Sequence, residues 1–439
     1  MKLNDTRLFD ASGEQAIGSA GASRRDEADA YTKPMGFESR LLRLLLRSLG
    51  DAPLRIGVRD SIPVSAGGAD GADGADGAAG IRIANWSSLV KLFINPDLYF
   101  GDAYTDGLIE VEGDLVKVLE TVFLHRRRAS VPLFGGRSRL AAWMNRSRPN
   151  TPSGARRNIH QHYDIGNEFY QSWLDPRMVY TCAYFPDPAM TLEAAQVEKM
   201  DHVCRKLRLN PQDTVVEAGC GWGALALHMA TRHGVRVKAF NISREQIAYA
   251  RASARAAGVE SRVEFIEDDY RSIDGRFDVF VSIGMLEHVG QDHHRELGRV
   301  IDRCLNRNGR GLVHSIGQTQ RVALNPWIEK RIFPGAYPPT LSEMAALLEA
   351  GAFSVIDVEN LRLHYALTLE HWLRNFEAAR ERVRAMFDER FVRAWRLYLA
   401  GSLAAFRTGE LQLYQVLFTR DASNDVPWTR AHLYGKAPG

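Results

Sequence analysis

The sequence predicts an α/β protein: a doubly wound, mostly parallel seven-stranded sheet preceded by a small α+β domain. Three observations carry this. A chain of 439 residues exceeds one average domain. From about residue 158 strand-like and helix-like segments alternate, as in a sheet covered by helices on both faces. Between the first of those strands, 214–218, and the helix 224–233 stands Glu217-Ala-Gly-Cys-Gly-Trp-Gly223, three glycines at spacing two. Glycines there let backbone approach a ligand closely, and the helix N-terminus behind them presents free amide groups.

The elements follow in order. Residues 1–35 are polar, rich in Gly, Ala and Ser and without periodicity, which predicts disorder. Arg40, Arg43 and Arg47 then line one stripe of an amphipathic helix whose leucines suit packing on its own domain. Short strands are expected over 54–64 and 80–84, separated by a Gly-Ala-Asp repeat at 68–77 that lacks the ligand count of a calcium loop and reads as an insertion in a hairpin. A helix over 115–124 closes a small α+β domain spanning 36–125, and residues 126–157 form a basic linker. The remainder, 158–439, holds strands expected at 214–218, 235–241, 263–267, 277–283, 311–316, 353–358 and 412–420. Helices are expected near 192–207, 224–233, 244–257, 293–305, 342–350 and 369–406.

Composition excludes several classes. Cys182, Cys204, Cys220 and Cys304 lack paired spacing, so neither a disulfide framework nor a metal site is expected. No apolar signal core opens the sequence and no run of roughly 20 apolar residues occurs, so a cytoplasmic protein is expected. The net charge of +3 hides an asymmetry: Arg126, Arg127, Arg128, Arg137, Arg139, Arg146, Arg148, Arg156 and Arg157 occur with no acidic residue among them, interleaved with Leu133, Phe134, Leu140, Trp143 and Met144. An anionic lipid surface, nucleic acid and a merely solvated linker all fit that pattern.

In a doubly wound sheet the ligand site lies at the carboxyl ends of the strands. An acidic residue followed by alternating glycines at 217–223 resembles motif I of S-adenosylmethionine-dependent methyltransferases, and makes Glu217, Gly219, Cys220, Gly221 and Gly223 candidates for cofactor binding. The second strand ends in Asn241 rather than an acid. Ser243 and Gln246 open the next helix, and Asp269 and Tyr270 follow the third strand, where an acid and an aromatic can hold an adenine. Glu287 and His314 fall at neighbouring strand ends, where two polar groups can meet above a cofactor. Upstream, 160–170 and 179–185 concentrate aromatics, either as a water-excluding lid or as a packed cap. The long apolar insertion 325–339 fits the wall of a pocket for an acyl group.

Taken together, His162-Tyr-Asp-Ile-Gly-Asn167, Tyr180-Thr-Cys-Ala-Tyr184, the glycine motif, Ser243-x-Glu-Gln246, Asp269-Tyr-Arg271, Glu287-His-Val-Gly290, His314-Ser-Ile-Gly317 and Trp327-Ile-x-Lys-x-Ile-Phe-Pro-Gly335 resemble the cyclopropane-fatty-acyl-phospholipid synthases and the related mycolic acid cyclopropane synthases over about residues 158–420. The small N-terminal domain resembles their lipid-associated domain more loosely. The resemblance implies a Rossmann-like methyltransferase sheet and transfer of a methylene from S-adenosylmethionine to the double bond of phospholipid acyl chains. It implies Tyr180 and Thr181 as further cofactor residues, and a bicarbonate ion held by Cys182, Glu287, His314, Ile316 through its backbone, and Tyr365. It further implies a peripheral enzyme on the inner face of the membrane, with anionic lipid rather than nucleic acid as partner, and a homodimer. A cysteine that some members carry is Ser402 here, so no role is given to that position. Two rival readings stand beside it: C-methylation of acyl chains without ring closure, as in methyl-branched or furan-precursor fatty acids, and a non-catalytic lipid-surface protein.

Overall fold

A computed structural model describes residues 36–61, 63–65, 79–126 and 165–434. The predicted disorder at 1–35, the Gly-Ala-Asp repeat, Arg127 to Arg157 and the motif residues His160 to Asp164 lie outside the described residues. The chain divides into two compact units, residues 1–146 with 387–404, and 147–386 with 405–439.

In the first unit α1 (Gly36–Ser48) buries Leu42, Leu45 and Leu46 and leaves Arg40, Arg43 and Arg47 exposed, as its periodicity requires. The strands β1 (Arg55–Val58), β2 (Val64–Ser65), β3 (Gly80–Ile83) and β4 (Ile109–Glu112) form a sheet of order β2-β1-β3-β4, in which only β1 and β3 run parallel. The helices α2 (Trp86–Ile94) and α3 (Pro96–Thr105) separate β3 from β4, and α4 (Leu115–Arg126) follows. Asn85 caps α2 by accepting from Ser88 N–H at 2.8 Å. Arg126, expected in the basic linker, is instead the last residue of α4 and ion-pairs with Asp97 at 2.5 Å.

The second unit is the seven-stranded sheet the sequence predicts. Its strands are β5 (Thr214–Ala218), β6 (Arg236–Asn241), β7 (Val263–Glu267), β8 (Phe277–Ile283), β9 (Leu305–Gly317), β10 (Phe353–Asn360) and β11 (Gln412–Arg420), in the order β10-β11-β9-β8-β5-β6-β7. All neighbours are parallel except β10–β11 and β11–β9. The order reverses at β5, which pairs with β6 on one side and β8 on the other, so a crevice opens above the carboxyl ends of β5 and β8.

Helices cover both faces: α5 (Asn167–Gln171), α6 (Leu192–Leu207), α7 (Ala224–His233), α8 (Arg244–Ala256), α9 (His294–Cys304), α10 (Leu341–Glu349), α11 (Arg362–Ala378) and α12 (Arg380–Met386), and after α13 (Glu389–Thr408), most of which belongs to the first unit, the chain ends its described part in α14 (Ala431–Tyr434). One apolar layer joins α6, α7 and α8 to the sheet through Met200, Val203, Met229, Ile247 and Phe265; another joins α9 and α10 through Leu297, Val300, Met344 and Leu347.

The single helix expected over 369–406 is three. The first begins earlier, at Arg362, and the last starts where Asp388 accepts from the Phe391 N–H at 2.7 Å, a cap in the middle of an otherwise helical composition. Residues 387–404, placed by sequence in the second domain, pack with the first unit, where Arg393 lies over the Tyr104 ring at 4.4 Å.

Candidate active site

The glycine turn is built by three positive φ angles, at Gly219 (82°), Gly221 (53°) and Gly223 (86°). A Cβ on Gly219 would strike Met285 and one on Gly223 would strike Phe265 and Ala250, whereas a Cβ on Gly221 would meet nothing within 4 Å. The outer two glycines therefore serve close packing, and the middle one keeps the crevice clear.

That crevice is a cleft partly open to solvent. Of the residues proposed to hold a cofactor, Tyr180, Thr181, Glu217, Gly219, Cys220, Gly221, Asn241, Gln246, Asp269 and Tyr270 line it. Gly223 and Ser243 do not. Gly223 is the N-cap of α7, and Ser243 is the N-cap of α8, where its hydroxyl accepts from Gln246 N–H at 3.4 Å. Both support the cleft from behind.

Several lining groups are already fixed. Asn241 Nδ2 donates to Gln246 Oε1 at 2.6 Å and to the Gly221 carbonyl at 3.2 Å, tying the end of β6 to the glycine turn. The carboxylate of Asp269 accepts from the Arg271 guanidinium and backbone, so it braces the loop rather than pointing its charge at a ligand. Tyr270 keeps its hydroxyl buried without a partner, and burial raises its pKa. Glu217 is buried with Oε2 unpartnered, and burial pushes its carboxyl up to about 8 despite the Lys199 charge.

Of the five residues mapped to the reaction centre none lines this cleft; Glu287 and Ile316 touch directly, and the others are tied to them through neighbouring residues. On the short turn after β8, Glu287 accepts the Ile316 N–H at 2.5 Å. His314 stands two residues earlier on β9, hence on the same face as Ile316, and its carbonyl accepts from Gly284 N–H at 2.8 Å. A Cβ on Gly284 would sit 3.0 Å from Thr181 Cγ2, which places Thr181 and Cys182 against that strand end. Cys182 Sγ lies 4.0 Å from the Thr368 hydroxyl, and Thr368 is one turn along α11 from Tyr365. Ile316 spends its N–H on Glu287, and its carbonyl accepts from the Ser315 hydroxyl at 2.9 Å, so both backbone groups are engaged.

Burial sets the protonation states here. Glu287 is pushed up to about 7 by desolvation, against the bond from Ile316. His314 is pushed down to about 3, first by burial and then by the Lys199 and Lys206 charges. Burial raises the Cys182 thiol. His314 and Cys182 are thus neutral at neutral pH, while Glu287 changes charge across it.

Above the glycine turn, Tyr170, Trp173, Tyr180, Trp222 and Trp372 pack ring against ring with centroids 4.9 to 5.9 Å apart, and Trp222 Nε1 donates to Asn167 Oδ1 at 2.7 Å. Tyr180 and Trp222 line the cleft, so this cluster is its apolar roof. The 325–339 insertion carries a π-helical turn (Ile328–Ile332), buries Trp327 and Ile332, and returns through Tyr337 N–H to the Glu287 carbonyl at 2.8 Å.

Sequence reasoning missed Lys199, Trp222, Met285 and His288 as cleft-lining residues. A signal existed for the first: on α6, Lys199 falls among Ala195, Gln196, Met200 and Val203 on the buried stripe. Among the described residues the donor atoms of Cys204, His228 and His233 lie within 4.8 Å of one another. His228 Nε2 is bonded to Asp201 at 2.7 Å and burial raises the Cys204 thiol, so the trio is held as packing.

Residues 151–416 match the family model for mycolic acid cyclopropane synthetase. The protein is 37% identical over 345 residues to a probable fatty acid methyltransferase of Pseudomonas putida, covering 76% of this chain and 86% of that one. It is 35% identical over 361 residues to the cyclopropane-fatty-acyl-phospholipid synthase of Escherichia coli strain K12, covering 79% and 90%. Among solved structures it resembles the mycolic acid cyclopropane synthase CmaA1 complexed with SAH and CTAB, with a TM-score of 0.58, 28% identity, and coverage of 60% of this chain and 98% of that chain.

Proposed function

The chain belongs to the mycolic acid cyclopropane synthetase family and is an S-adenosylmethionine-dependent lipid methyltransferase; from that premise we propose that it converts double bonds in the acyl chains of membrane phospholipids into cyclopropane rings. The observation that supports this most is the buried pairing of Glu287 with the Ile316 N–H, with the second carboxyl oxygen buried and unpartnered.

S-adenosylmethionine supplies an electrophilic methyl group when bound, and Tyr180, Thr181, Gly219, Gly221, Asn241 and Gln246 are the residues that would hold it. An alkene is a weak nucleophile, so what the protein contributes is positioning and exclusion of water. The aromatic roof and the apolar 325–339 segment would provide the dry wall. Methyl transfer leaves a carbocation on the lipid, and loss of a proton from the added methyl closes the ring. A bicarbonate ion would suit as base: it has one hydroxyl to donate to the open Glu287 oxygen and oxygens to accept from His314 Nε2–H and the Tyr365 hydroxyl, whereas the Cys182 thiol donates to the Ala183 carbonyl at 3.0 Å and would have to turn from it to join. The relative crystallised with CTAB, a long-chain amphiphile, agrees with an acyl-sized substrate.

The membrane is the proposed partner. Among the described residues no helix is long and apolar enough to cross it, and α1 exposes Phe37 and Leu44 near Arg40, Arg43 and Arg47, a combination suited to an anionic surface.

The test is incubation of the protein with isotopically labelled S-adenosylmethionine and anionic vesicles bearing monounsaturated chains. The expected product gains the mass of one CH₂, loses the alkene signal and shows upfield cyclopropane protons by NMR. Label recovered only in a soluble small molecule would overturn the reading. The 37% identity to a probable fatty acid methyltransferase supports a second reading, C-methylation without ring closure, which the same spectra would reveal as a methyl or methylene branch.

A further inference from the structure

We propose that Lys199 is the binding residue for the carboxylate of the donor's amino-acid end, an inference that rests on S-adenosylmethionine being the donor. Lys199 lies on the sheet-facing side of α6, is 2% exposed and lines the cleft. Its Nζ donates to Thr181 Oγ1 at 3.0 Å. Among the described residues that hydroxyl is its hydrogen-bond partner, and no carboxylate oxygen lies within 4.0 Å.

A buried ammonium with three protons to place and one neutral acceptor is costly unless an anion completes it. The nearby carboxylates do not. Asp175 spends its two oxygens on the backbone N–H groups of Val179 and Arg177, at 2.9 and 3.0 Å. Glu217 lines the same cleft yet stands apart from Nζ, with Oε2 unpartnered. The cleft wall thus presents the Lys199 ammonium and, apart from it, the Glu217 carboxyl with one oxygen open to accept a hydrogen bond. The amino-acid end of the donor carries one carboxylate and one ammonium, the complementary pair. Burial brings the Lys199 pKa down to about 8, while Cys182, Asp175 and Glu217 act to raise it, so the group is still an ammonium at neutral pH.

The test compares two ligands that differ only in the carboxylate: S-adenosylhomocysteine and its decarboxylated analogue. By titration calorimetry, Lys199→Met should weaken S-adenosylhomocysteine about 10- to 100-fold, the range for a charge-assisted bond lost. The decarboxylated analogue should stay within about twofold of the parent, as an interaction it never made. Equal weakening of both ligands, or none, would overturn the proposal, as would a defect confined to the bicarbonate dependence of turnover. Replacing a buried charge by methionine is tolerated in many cores, and a melting curve checks that the variant folds. The unaltered protein gives an independent reading: carbamylation of Lys199 by cyanate, followed by peptide mass spectrometry, should be slowed by S-adenosylhomocysteine and not by the analogue. Equal protection, or none, would overturn it as well. Failure of S-adenosylhomocysteine to bind the unaltered protein would instead remove the donor assignment beneath it.

Discussion

The Ile316 backbone N–H donates to Glu287 Oε1 at 2.5 Å, while Oε2 of the same carboxyl is buried without a partner. One oxygen is fixed by the strand and the other is left for chemistry. Glu287→Gln keeps an oxygen for Ile316 and removes the second acceptor and the charge. It is expected to lower kcat about 100- to 10,000-fold, the span for losing a group that handles a proton, with S-adenosylhomocysteine affinity nearly unchanged. Steady-state turnover and calorimetry check the two halves.

The same carboxyl makes stability depend on pH. Burial lifts its pKa from 4.5 to about 7. Below 4.5 the group is neutral both folded and unfolded, so the native state carries no ionisation penalty. As pH rises toward 7 the unfolded state ionises first and stability falls, levelling off once both states are charged. Glu287→Gln should abolish this fall, its stability gain over the parent growing to on the order of 3 kcal/mol above pH 7. Denaturant melts on both sides of that window measure it.

His314 should show one neutral tautomer across the physiological range. Gln415 Nε2 donates to His314 Nδ1 at 3.1 Å, which leaves the proton on Nε2, and burial holds the ring's pKa at about 3. Imidazole ¹⁵N shifts should report an Nε2–H ring with no titration near neutrality. Gln415→Leu should lower kcat by about tenfold or more through loss of that orientation, with KM for the donor little changed.

The glycine turn separates two effects. Gly223→Ala places a Cβ 2.7 Å from Phe265 Cζ and 2.9 Å from Ala250 Cβ, and should cost about 3 kcal/mol of stability from overpacking and left-handed strain. Gly221→Ala meets nothing within 4 Å and should cost only about 1 kcal/mol of strain while weakening donor binding about tenfold or more, because its methyl enters space that backbone and ligand share. Thermal melts and ligand titration on both variants give the contrast.

Patterns confined to a few neighbouring residues were legible beforehand. Strands 214–218, 263–267, 277–283 and 412–420 stand where their apolar runs end in turn residues, because strand character and turn chemistry are local properties. The break between α12 and α13 was not legible, since no Gly or Pro marks it and the Asp388 cap sits in a composition that otherwise favours helix. Lys199 escaped notice because a lysine on a helix is ordinarily solvated, and only packing of α6 on the sheet removes its water.

Residue types and their order along the sequence were enough to identify a glycine turn for a nucleotide-like donor and the family that carries it. Tertiary structure alone decided which of those polar atoms are spent and which remain available: Asp269 is taken by Arg271, Glu287 keeps one oxygen open, and His314 is oriented by a glutamine 101 residues away. The physical reason is that burial and hydrogen-bond partnership arise from segments distant in sequence, so no local spacing encodes them.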